Sequence, residues 1–132
     1  MKTLFLLTAL LFAVTLSSSS AVVSKAAPEG KKQKAVTQFS QPVRLMGVVL
    51  KGEYLFVHDD AAMARGEACT FVYKGNTAVK GNLVVSFHCI PAQRLKVASF
   101  TVRTQQSAPG IDELREFQFA GDTEAHMVPE AK

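Results

Sequence analysis

The chain has 132 residues, 48% of them apolar, with two cysteines, three histidines, no tryptophan and a formal charge of +4. This length accommodates one small domain after any leader, and two cysteines cannot form a disulfide-dense scaffold. Nor does the charge indicate nucleic-acid binding, which needs a basic patch built into a fold: residues 22–42 hold four lysines and one glutamate, whereas residues 43–132 hold ten basic and ten acidic side chains.

Met1-Lys2 precedes an apolar run from Thr3 to Leu16, and Ser17–Ala21 then supplies small residues. That is the pattern of a cleavable secretory signal. Cleavage is expected after Ala21, with a second possibility near Ala26 or Ala27. The run is shorter than the roughly 20 residues that span a bilayer. Residues 22–42 include Pro28 and Gly30 and show no sustained apolar period, so they read as a basic flexible linker. The organisation expected is a signal peptide over 1–21, a linker over 22–42 and a single β-domain over 43–132. The expected setting is secreted or periplasmic, with no stable membrane span after signal cleavage.

Short β-rich runs follow: Val43–Leu50, Glu53–His58, Cys69–Lys74, Asn82–Cys89, Arg94–Thr104 and Leu114–Phe119. Lys51-Gly52, Gly75-Asn76, Pro109-Gly110 and Gly121-Asp122 are the turn signals around them. Asp59 and Gly66 can cap and end a short helical turn through the alanines between them. The fold expected is all-β: a small antiparallel barrel or sandwich of about six strands with one short helical turn.

Cys69 and Cys89 are the only cysteines. A hairpin centred on Val79 sets Cys69 opposite Cys89, Phe71 opposite Phe87 and Tyr73 opposite Val85, all on one apolar face. In an exported chain this register predicts a cross-strand disulfide. The alternatives are two buried thiols or two thiolates on a metal.

His58, His88 and His126 each end or follow a strand-like run. If the strand ends gather at one rim, they form a candidate metal site, with Met63 and Met127 as possible soft ligands. No short spacing ties any two histidines together. The competing reading makes His58 and His88 strand-end residues, Asp59 a helix cap and His126 part of a tail. Combinations such as Ser86 or Ser99 with His88 and Asp59, or Glu53 with Glu116, carry no catalytic motif. The functional expectation is therefore a non-enzymatic binding or scaffold module, with a small metal-binding protein as the alternative. No cofactor is expected. The partner expected is an unknown protein or small ligand, and no nucleic acid.

Overall fold

The computed structural model describes residues 31–130. The signal peptide and the first part of the linker, which were expected from sequence, lie outside the described residues. Within them, β1 (Lys32–Leu45) and β2 (Val48–Asp59) form a long hairpin. Met46 and Gly47 join them at φ 48° and 83°. Two successive left-handed residues match the twist of the flanking strands, which is why such tight hairpin turns are favoured. The turn expected at Lys51-Gly52 is not there, because both residues lie inside β2.

β1 also replaces the later part of the expected linker. Gln33, Ala35, Thr37 and Phe39 are the better-covered residues of its first half, while Lys32, Lys34, Val36 and Gln38 are exposed. This is a period of two, obscured in the sequence because its inner residues are mostly polar or small. The register slips between Phe39 and Val43, so that Phe39 faces Gly52 and Val43 faces Leu50. Pro42, which has no N–H to donate, sits in that irregular stretch.

At the end of β2, the Asp59 carboxylate accepts hydrogen bonds from the Ala61 and Ala62 N–H groups and starts a single helical turn, α1 (Asp60–Ala64). Gly66, at φ 73°, reverses the chain. Next come β3 (Thr70–Lys74), a 3-10 turn at Lys80–Asn82, β4 (Leu83–Phe87), β5 (Ile90–Gln93), β6 (Thr101–Ala108), β7 (Ile111–Gln118) and β8 (Glu124–Met127). Among the described residues there are thus eight strands, not six. The run expected over Arg94–Thr104 becomes a loop and then β6. β8 pairs with both β5 and β7, so His126 belongs to a strand and not to a tail.

The strands form one mostly antiparallel sheet in the order β4-β3-β2-β1-β7-β8-β5, with β6 also on β7. A short parallel pairing, Val43 with Asp112 and Arg44 with Glu113, joins β1 to β7. The sheet curls into a half-barrel. Its two ends, β4 and β5, are consecutive in the chain and are joined only by His88 and Cys89. The curl therefore returns to a seam at Cys89.

Phe39, Phe56, Phe87 and Phe117 pack in the hollow of the sheet with Leu45, Leu50, Val72 and Leu114. Phe56 and Phe117 are fully covered, with ring centroids 5.4 Å apart. The hairpin register expected around the cysteines is displaced by one residue. Thr70 faces Phe87, Phe71 faces Ser86 and Val72 faces Val85, and the slip turns Thr70, Val72 and Phe87 inward. Phe71 and Tyr73 lie on the outer face, opposite Val57 and Leu55 of β2. That face is apolar too, so hydrophobic pattern alone did not fix the register.

A polar brace holds the loop before β6. Arg94 and Arg103 both bind the Glu116 carboxylate, and Arg103 also donates to Gln118 Oε1. The Gln118 amide donates to the carbonyls of Leu95 and Asp122. Buried Glu116 and Gln118 are thus satisfied, and the turn leading into β8 is fixed. Among the described residues, no helix is long and apolar enough to cross a membrane.

Candidate metal centre

At the seam end of the half-barrel, four buried side chains from distant parts of the chain meet. In β2, alternation turns Tyr54, Phe56 and His58 inward, and His58 is the last of the three. Cys69 immediately precedes β3, and Cys89 occupies the β4–β5 junction. His126 comes from β8, where it pairs with Phe117 on one side and Pro91 on the other. Cys69, Cys89 and His58 are 0% exposed and His126 is 1% exposed.

Cys89 Sγ is the centre of the cluster. It lies 3.1 Å from Cys69 Sγ, 3.3 Å from His58 Nε2, 3.5 Å from His126 Nδ1 and 3.7 Å from Met63 Sδ. The donor atoms of His58, Cys69 and Cys89 all fall within 4.8 Å of one another. Met63 reaches the group from α1. The sulfurs are not bonded: 3.1 Å is well beyond the roughly 2.05 Å of a disulfide, so the expected cross-strand bridge is not formed here. The one-residue slip in register removes the direct opposition from which that bridge was inferred.

His88 does not join the cluster. Its side chain is exposed, and its Nδ1 lies 2.8 Å from the Glu67 carbonyl, tying the loop after α1 to the seam. The reason is strand parity: with Cys89 turned inward, its neighbour points outward. Met127 is also exposed. Of the residues considered for catalysis, Asp59 caps α1, Glu116 lies between two guanidinium groups, and Ser86, Ser99 and Glu53 are exposed.

Burial determines the protonation of the cluster. It pushes the Cys89 thiol up to about 12, and the adjacent Cys69 thiol adds to the shift. It pulls His126 down to about 4, with a further contribution from neighbouring His58. Burial also lowers His58, with Asp60 opposing. Without an ion, Cys89 is therefore a neutral thiol and both imidazoles are neutral at pH 7. Buried neutral imidazole nitrogens are ready-made lone-pair donors.

The surroundings fit that role. Asp60 Oδ1 is 3.0 Å from His58 Nδ1, although without the alignment of a good hydrogen bond. His58 Nε2 is the nitrogen that faces the sulfurs. Carboxylate, imidazole and ligand position in that order form the usual outer support of a metal-bound histidine. His126 has no such support: its Nδ1 faces Cys89, and its Nε2 is buried with no partner. Two buried thiols and two buried imidazoles are a donor set for zinc or another thiophilic transition metal. Around tetrahedral zinc, bonds of about 2.3 Å to sulfur and 2.0–2.1 Å to nitrogen give donor–donor edges of about 3.4–3.8 Å. The Cys89–His126 edge already falls in that range, Cys89–His58 lies just below it, and the sulfur pair must spread by well under 1 Å; His126 stands outside the close group of His58, Cys69 and Cys89 and must move inward to complete the tetrahedron.

Comparison with known protein families, curated proteins and solved structures gives no match for this chain, so the functional argument rests on the geometry of the centre.

Proposed function

We propose that this chain is a non-enzymatic β-domain that binds one thiophilic divalent transition-metal ion, best matched by zinc, through Cys69, Cys89, His58 and His126. The observation that carries the reading is the convergence of two buried thiols and the buried His58 imidazole within 4.8 Å of one another, with His126 Nδ1 beside Cys89 at 3.5 Å. These residues come from β2, the start of β3, the β4–β5 junction and β8. Without an ion the donor atoms meet one another through weak sulfur hydrogen bonds, a poor exchange for the water that burial takes from them. An ion there would bind both the seam and its neighbouring strands, acting as a staple for a small domain. Deep burial of the donors favours a structural or storage site over a catalytic one, which keeps a position open. The leader pattern of the first 21 residues supports an exported setting.

The test is zinc titration of reduced, metal-free protein, followed by native mass spectrometry and thermal unfolding. One equivalent bound with a raised Tm is expected. Less than about a tenth of an equivalent, with no shift in Tm, overturns the reading. Cys89→Ser and His58→Ala are expected to abolish binding, whereas His88→Ala is expected to retain it.

A further inference from the structure

We propose that Cys69 and Cys89 also form a two-electron thiol–disulfide switch that decides whether the centre keeps its metal. This inference rests on the zinc reading above. The sulfur separation of 3.1 Å lies between two chemical states. A disulfide needs about 2.05 Å, and two thiolates on tetrahedral zinc need about 3.8 Å. Each state is reached from the observed arrangement by a sulfur displacement of about 1 Å or less.

The two states exclude each other, because sulfurs bonded to one another cannot both act as thiolate donors. Oxidation leaves only the two imidazoles, His58 and His126, and removes the soft half of the donor set. The chain has no third cysteine, so an internal bridge has a single connectivity. The bridge would connect the start of β3 to the β4–β5 junction, two of the places the ion connects. This end of the half-barrel therefore stays pinned in both states while its metal content changes.

Both sulfurs are fully covered, so the oxidant must be small; hydrogen peroxide is the class that fits. One thiolate attacks a peroxide oxygen, the O–O bond breaks, and a sulfenic acid and hydroxide form. The second thiolate then attacks that sulfur, the S–S bond forms and a second hydroxide leaves. Two zinc-bound thiolates and one peroxide thus give one disulfide, two hydroxides and a released zinc ion. The two electrons come from the two sulfurs. A dithiol reductant reverses the change by exchange.

The experiment uses wild-type protein, so no variant has to fold. Reduced, zinc-loaded protein is titrated with hydrogen peroxide. A chromogenic chelator follows zinc release, and alkylation with intact mass spectrometry follows the thiols. The expected result is one zinc released for each pair of thiols lost, a monomer lighter by two hydrogens, and zinc rebinding after dithiothreitol. Retention of zinc by the disulfide form, intermolecular dimers, or sulfinic acid in place of a bridge would overturn the switch while leaving the metal site standing. Failure of the reduced protein to take up zinc at all would overturn both.

Discussion

The rings of His58 and His126 lie 4.0 Å apart, centroid to centroid, in a pocket that excludes solvent from both. Two imidazolium ions do not coexist at that distance without a large cost, and burial already disfavours the first. The expected consequence is acid sensitivity of the metal-free protein. His126 titrates at about 4 in the fold, below its ordinary value of 6.5, because of burial and then His58. Between those values the unfolded chain binds more protons than the native one, so stability rises with pH there. It is lost as pH falls through that window, by about 3 kcal/mol at most for this group, and His58 acts in the same direction. Urea unfolding midpoints of chelator-treated protein measured from pH 7.5 to pH 4.5 check this. A flat profile contradicts it.

Asp60 offers a test of the centre that leaves every proposed ligand in place. Its carboxylate stands beside His58 Nδ1, on the far side of the ring from the sulfurs. Asp60→Asn keeps the shape and removes the charge. Zinc affinity is expected to fall by about 10- to 100-fold, the usual effect of losing an outer partner of a ligating histidine. The helix cap is Asp59, so the metal-free fold should lose no more than about 1 kcal/mol, the scale of one charge at a helix start. Competition with a zinc chelator gives the first quantity and thermal unfolding the second. Unchanged zinc affinity would contradict this role for Asp60.

The β class of this chain was legible in its Val- and Phe-rich runs, but the sheet order was not. β1 carries no apolar alternation in its first half, because Gln33, Ala35 and Thr37 line its inner side. The first hairpin turn has a weak local signature, because Met46 carries no turn signal, although Gly47 beside it does. The seam had a readable trace in strand parity: once Cys89 is inward, His88 must be outward. Local pattern could not bring His126 to Cys89. That meeting depends on β5 pairing with β8, a contact between residues 90–93 and 124–127 that no short-range signal encodes.

The core and the centre share one wall, because His126 stacks on Phe117 at 5.1 Å and 26° while Phe56 packs against the same ring. Removing Phe56 therefore tests how far packing alone holds the half-barrel. Phe56→Ala deletes a fully buried ring and is expected to destabilise the metal-free protein by about 3–5 kcal/mol. Saturating zinc should recover part of that loss, since an ion that binds only the native state contributes about 2.7 kcal/mol at 100 times its Kd. Equilibrium denaturation with and without zinc measures both. A loss below about 1 kcal/mol would mean that the ring is not part of the cooperative core.

Met63 separates the two chemistries that this donor set admits. Its sulfur lies 3.7 Å from Cys89 Sγ, yet the zinc centre proposed above needs no fifth donor beyond two thiolates and two imidazoles. Met63→Leu keeps the volume and removes the thioether, a swap that buried sites tolerate at below about 1.5 kcal/mol. If the centre is built for zinc, stoichiometry stays at one and affinity changes by less than a factor of about three. A softer ion would respond differently, because thioether donors favour copper(I). Parallel titrations of wild type and Met63→Leu with zinc and with copper(I), each against a chromogenic competitor, distinguish the cases. A copper(I) affinity that drops with Met63→Leu, alongside a wild-type preference for copper(I) over zinc, would assign the thioether to the coordination sphere and replace zinc as the ion the site selects.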